Sequence, residues 1–178
     1  MGSRSGLKPI ALALGLAQLA VPAGAEAPCR DDSVYLRGDW GRARITVDLA
    51  DTPETRSRGL MFVEEVPTMG GMLFVYEQPQ PVAFWMKNTL IPLDMLFADA
   101  GGTIRRVHHE AQPGDLTAIP GGEDIQFVLE INGGLAARLG IGAGSEMRHP
   151  AIADEAAAWP CESGADGKKP LSKPASDR

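Results

Sequence analysis

The sequence predicts a mainly β domain, either a small barrel-like fold or a compact sandwich, with two short helices. Apolar and polar residues alternate over several short segments, which is typical of half-buried strands. The chain has 21 glycines and 14 prolines in 178 residues, which break it into short elements, and only two segments carry helix-capping signals. These observations argue against alternating βαβ units, which need a helix between consecutive strands.

The folded part begins with a strand followed by a helix. Residues 42–49 alternate between polar and apolar side chains, which predicts a half-buried strand. Thr52 is then placed to cap a helix of about two turns, with Pro53 at its first position and Gly59 at its end.

Two buried strands and a hairpin are predicted next. The apolar runs Met72–Tyr76 and Val82–Met86 predict two strands, joined by the proline-stiffened segment 77–81. Residues 93–98 and 103–108 flank a turn that contains two glycines, and this composition predicts a hairpin.

The second half repeats the order of strand, helix and strand. Ile125–Ile131 alternates clearly and predicts a strand. Asn132 is then expected to cap a short helix over residues 133–139, which ends at Gly140. Residues 141–148 are predicted to form the last strand.

Residues 1–25 are predicted to be a signal peptide. Arg4 and Lys8 give a positive start, residues 9–21 carry no charge, and Ala23-Gly24-Ala25 has the small-x-small pattern of a cleavage site. No later segment approaches the roughly 18 apolar residues of a transmembrane helix. The protein is therefore expected to be periplasmic or secreted, without stable membrane insertion.

The remaining chain is predicted to be one exported domain, residues 26–161, and a disordered tail. Residues 162–178 consist mostly of Gly, Ser, Pro, Lys and Asp, a composition that cannot bury enough apolar surface to fold. The formal net charge of the whole sequence is −6, and it becomes more negative when the basic leader is removed. Such a charge disfavours nucleic acid as a partner.

The two cysteines, Cys29 and Cys161, bracket the predicted domain. In an oxidising compartment such a pair is expected to form a disulfide rather than a metal or redox site, because it lacks the Cys-x-x-Cys spacing. The chain-entropy model gives so long a loop a stabilisation of about 4 kcal/mol.

Several motifs of this sequence resemble an uncharacterised bacterial and archaeal family, domain of unknown function 192. The motifs are Arg58-Gly59-Leu60-Met61, Gly71-Met72-Leu73-Phe74, Phe84-Trp85-Met86-Lys87-Asn88-Thr89, Ile91-Pro92-Leu93-Asp94 and Val128-Leu129-Glu130. The resemblance covers about residues 45–147. It implies a small, largely β, barrel-like and often exported domain, and it implies no reaction.

The segment from Phe84 to Thr89 is the strongest candidate site for a ligand. On a strand, Trp85 and Lys87 would share one face and Met86 the other, so an aromatic wall and a cation would line one pocket. We expect a binding module for a small ligand or a protein partner, with Trp85, Lys87, Asn88 and Asp94 at the pocket. The alternative is that Lys87 forms a structural ion pair and Asn88 stabilises a turn.

An extracytoplasmic enzyme is the second hypothesis, with Lys87, Asp94 or Glu130 as acid-base groups. Lys87 would need a depressed pKa to act as a base or nucleophile. The sequence contains no nucleophile elbow, phosphate-binding loop or zinc-protease motif. Whether the protein is an enzyme is therefore left open.

Copper binding through methionines is a third hypothesis, and no other cofactor is indicated. Met69 and Met72 are three residues apart, and thioethers favour Cu(I). Core packing is the more common role of such methionines. The three histidines, His108, His109 and His149, are expected to be exposed.

Overall fold

The computed structural model describes residues 28–161. Its elements are β1 (Ser33–Gly38), β2 (Gly41–Ala50), α1 (Pro53–Arg58), β3 (Gly70–Phe84), β4 (Leu93–Ala98), β5 (Ile104–Ala111), β6 (Ile119–Asn132), α2 (Leu135–Leu139) and β7 (Glu146–Arg148). The predicted mainly β fold with two short helices is confirmed. The predicted signal peptide and tail lie outside the described residues.

All seven strands belong to one mixed sheet that curls into a half-barrel. The strand order is β5-β4-β6-β3-β2-β1-β7. Only β2 and β3 are parallel among the paired strands, and α1 lies in the connection between them. The start of β5 contacts the segment before β7, where the Ile104 N–H donates to the Ser145 carbonyl at 2.8 Å. The two edges of the sheet therefore approach each other at one end.

Buried side chains form two hydrophobic clusters. The first core includes Leu96, Leu129 and Ile131, and the second core includes Met95 and Val128. Successive residues of a strand point to opposite faces of the sheet, so neighbours along β4 and β6 enter different cores. Because of this alternation, the carboxyl side chains of Asp94 on β4 and Glu130 on β6 lie on opposite faces of the sheet.

The two strands predicted over residues 72–86 are one long strand, β3. Its pairing with β6 is interrupted between Val75 and Gln80, where the register shifts. The predicted connection is therefore an irregular stretch within a continuous strand. The rings of Phe74 and Phe84 lie 5.0 Å apart in an edge-to-face contact, so the two halves of β3 approach each other.

Both predicted helices are present and end at the predicted glycines, Gly59 and Gly140, but α2 begins at Leu135 and its predicted cap is wrong. Thr52 and Thr55 form a capping box at the start of α1, and Gly59 ends the helix. Asn132, predicted to cap the second helix, lies at the end of β6 and donates from its side chain to the Val66 and Pro67 carbonyls. The N-cap of α2 is Gly134, which provides no side-chain acceptor.

Two further strand predictions need correction. The strand β1 (Ser33–Gly38) lies outside the predicted elements, because its apolar run, Val34-Tyr35-Leu36, is too short to indicate a strand by itself. The last strand is limited to Glu146–Arg148, since the Gly-rich residues before it form a turn.

A disulfide joins Cys29 and Cys161, with their Cα atoms 5.6 Å apart. It links the segment before β1 to the segment after β7, so the predicted bridge is confirmed. A disulfide in the folded domain points to an oxidising, extracytoplasmic environment. Within residues 28–161, no helix is long and apolar enough to span a membrane.

Candidate functional site

A cavity of about 170 Å³ lies between α1, both halves of β3 and β6. Apolar and aromatic side chains form much of its wall, and cationic side chains and one carboxyl group also line it. The lining residues are Arg56, Ser57, Arg58, Gly59, Leu60, Met61, Phe74, Tyr76, Ala83, Phe84, Trp85, Lys87, Thr89 and Glu130. The bend in β3 creates the cavity, because it brings Phe74 and Phe84 to the same wall.

Glu130 is the buried carboxyl group of this cavity, with 4% of its surface exposed. It projects from β6 on the same face as Val128, between Met72 of β3 and Met95 of β4. Among residues 28–161 its side chain has neither a hydrogen bond nor an ion pair. Burial raises the pKa of Glu130 to about 8, so the carboxyl group is mostly neutral at pH 7.

Arg56 and Tyr76 form a fixed part of the wall. The Arg56 Nη1 atom donates to the Asp51 and Val75 carbonyls, each at 2.7 Å, and Nη2 donates to Glu77 at 3.1 Å. The guanidinium lies 5.1 Å from the centre of the Tyr76 ring. Burial raises the pKa of Tyr76, which keeps the phenol protonated as a possible donor.

Trp85 and Lys87 lie on the solvent-exposed side of the cavity, but not on one strand face as predicted, because β3 ends at Phe84 and Lys87 lies in a turn. The Lys87 ammonium lies 5.1 Å from the centre of the Trp85 ring, while Met86 between them is buried. Trp85 is 49% exposed. An accessible aromatic surface and a cation therefore meet at the opening.

The other two residues predicted at this pocket do not line it. Asn88 has a φ of 55°, and its carbonyl accepts a hydrogen bond from the Phe62 N–H at 2.8 Å, so it serves a turn. The Asp94 carboxylate accepts three backbone hydrogen bonds, from Glu110, Gly134 and Ala136. It is therefore a structural group that fixes the start of α2.

The alternation of side chains explains why Asp94 and Glu130 are separated. In the pairing of β4 with β6, Asp94 lies opposite Ile131, and Met95 lies opposite Glu130. Ile131 belongs to the first core and Met95 to the second. Asp94 and Glu130 therefore point to opposite faces of the same sheet.

Exposed apolar side chains occur on loops that adjoin the cavity, although apart from Trp85 they do not line it. Phe62, Leu90 and Leu116 are each more than half exposed; together with Trp85 we call them the apolar rim. Two backbone contacts hold these loops together: Phe62 N–H donates to Asn88, and Met86 N–H donates to Asp115. Sequence periodicity could not identify the rim, because its residues come from three separate loops.

Phe62 also has a strained backbone. Its φ is 63°, a conformation that is rare for a bulky residue, and its side chain is 67% exposed. Neither packing nor conformational preference explains a phenylalanine at this position. Strain of this kind in an exposed aromatic residue is typical of functional surfaces.

The two methionines considered as copper ligands, Met69 and Met72, lie in different surroundings. Met69 is exposed before β3, whereas Met72 packs against the second core. No group of three or more His, Cys, Asp or Glu side chains suited to a metal occurs in residues 28–161. Of the three histidines expected to be exposed, only His109 is; His108 is half-buried, and His149 is buried, with its ring in contact with the Asp31 carbonyl and the Ala151 N–H.

A larger cleft, about 890 Å³, lies beside the β1–β2 turn. Four of its polar side chains pair with one another. Arg37 donates to Glu146 at 2.6 Å, and the Trp40 indole donates to Ser145 at 3.0 Å. The smaller cavity differs because its buried carboxyl group has no protein partner among the described residues.

The family relationship is decided by a match over residues 35–149 to the family described as "Uncharacterized ACR", domain of unknown function 192. The chain belongs to this family. The match includes all seven strands, apart from the first two residues of β1. It also includes every residue that lines the Glu130 cavity. The resemblance found in the motifs is thereby confirmed, and the family itself has no described activity.

Two solved structures of similar proteins support the same fold. One, from Sinorhizobium meliloti 1021, is described as a candidate transcription regulator; it is 39% identical with a TM-score of 0.64, and the match covers 69% of this chain and 96% of that one. The other, from Novosphingobium aromaticivorans DSM 12444, is a protein of unknown function; it is 36% identical with a TM-score of 0.63, and the match covers 74% and 99%. No curated protein matches this sequence significantly.

Proposed function

We propose that this protein is a periplasmic or secreted binding module whose Glu130 cavity takes a small ligand. The observation that carries the proposal is a buried carboxyl group that lines a cavity and has no partner among residues 28–161. A ligand that bonds to Glu130 would use hydrogen-bonding capacity that the described residues leave free at the wall of the cavity.

The residues at the opening favour binding over a purely structural role. Trp85 and Phe62 expose aromatic surface, and such residues contribute strongly to binding sites. Lys87 is exposed beside Trp85 and makes no ion pair among the described residues, so the structure of the domain does not require its charge. These features support entry of a ligand from solvent past the apolar rim.

The volume limits the size of the ligand. A cavity of 170 Å³ has room for roughly six water molecules and is smaller than the pockets of about 300 to 1,000 Å³ that take drug-sized ligands. A nucleotide or an oligosaccharide would not fit inside it. The ligand is therefore a small organic molecule, or one end of a larger partner that docks on the rim.

A thermal-shift screen of small compounds of all charge classes, on the oxidised exported protein, tests this function. We expect at least one compound to raise the melting temperature of the wild-type protein. Trp85→Ala should melt normally without ligand and lose this response, whereas Met69→Ala, which changes another exposed apolar residue outside the cavity, should retain it. A response that Trp85→Ala leaves intact would contradict the proposed site.

A second candidate function is acid-base catalysis by Glu130, and one observation favours it. A carboxyl group with a pKa of about 8 in a concave site is suited to proton transfer near neutral pH. Glu130→Gln would then abolish turnover of a bound compound. Asp94 is not part of this candidate, because it is fully hydrogen-bonded on the opposite face.

A role in transcription, as described for the Sinorhizobium protein, does not suit this chain. The net charge of −6 opposes binding to DNA, which depends on basic surfaces. An oxidising, extracytoplasmic location also separates this protein from chromosomal DNA. A protein partner on the apolar rim remains the alternative occupant to a free small molecule.

A further inference from the structure

We infer that the cavity selects small monocarboxylates with an apolar body, which bind with their carboxylate against the Glu130 carboxyl group. This inference rests on the proposed binding function and names the chemistry of its ligand. It follows from three properties of the cavity: its charge, its donors and its apolar wall.

The charged side chains of the cavity favour an anion. Arg56, Arg58 and Lys87 line it, and Glu77 balances only the charge of Arg56, at 3.1 Å. Glu130, the one acidic group in the lining, is mostly protonated at pH 7. A cationic ligand would meet two unbalanced positive charges, whereas an anion would be attracted to them.

The polar atoms inside the cavity are suited to donate hydrogen bonds. A neutral Glu130 presents an O–H, and Tyr76, whose phenol stays protonated, also lines the cavity. A protonated carboxyl group that donates to a carboxylate forms a short, charge-assisted hydrogen bond. This bond would give Glu130 the partner that the protein does not supply.

The remaining lining limits the rest of the ligand. Leu60, Phe74 and Phe84 contribute apolar surface, and Trp85 adds an exposed ring at the opening. Inorganic phosphate would satisfy the cations but would leave this surface uncovered. A short aliphatic or aromatic carboxylate satisfies both parts of the cavity.

The proton on Glu130 makes binding dependent on pH. An anionic ligand stabilises the neutral form of Glu130 and so raises its pKa further, because two adjacent carboxylates repel. The groups around Glu130 that bear on this linkage are Arg56 and Arg58 on α1, Tyr76 on β3, Lys87 after β3, and His108 on β5, which lies beyond Met95. Binding of a ligand carboxylate should therefore be accompanied by uptake of a proton on Glu130.

The experiment uses three compounds of nearly equal shape: benzoate, benzamide and benzamidinium, with acetate, isobutyrate and phosphate alongside. Calorimetric titration of the full exported protein at about pH 6.5 should give an affinity for benzoate at least about tenfold higher than for benzamide. Benzamidinium and phosphate should bind more weakly than benzoate. Affinity for benzoate should fall when the pH is raised to about 9, where Glu130 ionises.

Proton uptake tests the role of Glu130 directly. At about pH 8, titrations in two buffers of different ionisation heat should show uptake of about half a proton per bound benzoate. Glu130→Gln should bind benzoate several-fold more weakly at about pH 6.5 and show no uptake, whereas Arg44→Gln, which removes an exposed charge outside the cavity, should behave like the wild type. His108→Gln should retain the uptake.

The outcomes separate the ligand class from the binding function. Proton release, or tighter binding of benzamidinium than of benzoate, would overturn the carboxylate inference while leaving a binding cavity. The absence of binding by every carboxylate tested would also overturn it. The binding function itself fails only if no compound of the general screen gives a response that depends on Trp85.

Discussion

Asp94 and Glu130 are both buried carboxyl groups on neighbouring strands, but their surroundings differ completely. Asp94 accepts three backbone hydrogen bonds from two segments, at 2.8 to 3.0 Å, whereas Glu130 has no protein partner among residues 28–161. Asp94 completes the fold by capping a helix whose own N-cap residue is a glycine. The difference shows that burial alone does not identify a structural carboxyl group; the presence of partners does.

Removal of the Asp94 carboxylate should have the largest effect. Asp94→Ala would leave three buried or partly buried N–H groups without an acceptor, so we expect the free energy of unfolding to fall by at least about 4 kcal/mol. Chemical denaturation of the oxidised protein measures this loss. Asp99→Ala removes the acceptor of two partly buried N–H groups in the β4–β5 turn and an ion pair with the exposed Arg105. It should cost less, and equal losses would contradict the special role of Asp94.

Burial of the Glu130 carboxyl group should make the free energy of unfolding depend on pH. The folded-state pKa is about 8, and the ordinary value is 4.5, so the unfolded chain loses its proton first as the pH rises. The contribution of Glu130 to stability is therefore complete below pH 4.5 and is lost as the pH rises through 8.

We expect this loss to reach roughly 3 kcal/mol between about pH 5 and pH 8. The difference in unfolding free energy between the wild type and Glu130→Gln isolates it, because His149 and the other titrating groups are the same in both proteins. Equal pH profiles for the two proteins would show that Glu130 is not desolvated.

The strained backbone of Phe62 gives a smaller expected effect on stability. Phe62→Gly should stabilise the protein by about 0.5 to 1 kcal/mol, because glycine adopts a φ of 63° without the penalty that a side chain incurs, which exceeds the entropy cost of glycine. Phe62→Ala serves as the control, since it removes the ring and keeps the strain. Only the glycine variant should have a higher free energy of unfolding than the wild type; a glycine variant less stable than wild type would contradict the strain.

The sequence predicted elements whose signals are local and missed contacts that depend on the sheet order. Thr52, Pro53 and Gly59 define α1 because capping acts within one turn. The acceptor for α2 comes instead from Asp94, some 40 residues earlier, and no local pattern reveals it. Asn132 has the residue type and position of an N-cap, but it is the last residue of β6.

The residues of the site were also predictable where the signal was local. Trp85 and Lys87 belong to the Phe84–Thr89 motif, Glu130 is a carboxyl group within an apolar strand, and all three line one cavity. Asp94 was grouped with them because it is close in the sequence, although the alternation of β4 places it on the other face. The rim residues Phe62 and Leu116 required the loops to be positioned by the fold.

Lys87 should show the smallest effect on stability and a clear effect on binding. Its side chain is exposed and its described contact is with the Trp85 ring, so Lys87→Gln should leave the melting temperature nearly unchanged. If the ligand is an anion, this substitution should lower its affinity by roughly threefold to tenfold, and the loss should be smaller at high salt, because added ions screen the charge.

Arg44→Gln makes the same change of charge on β2, outside the cavity, and should leave the affinity unaltered. Titration of benzoate at two salt concentrations into both variants separates a local contact from the effect of net charge. A Lys87 variant that melts much lower and binds benzoate normally would assign this lysine to the scaffold rather than to the site.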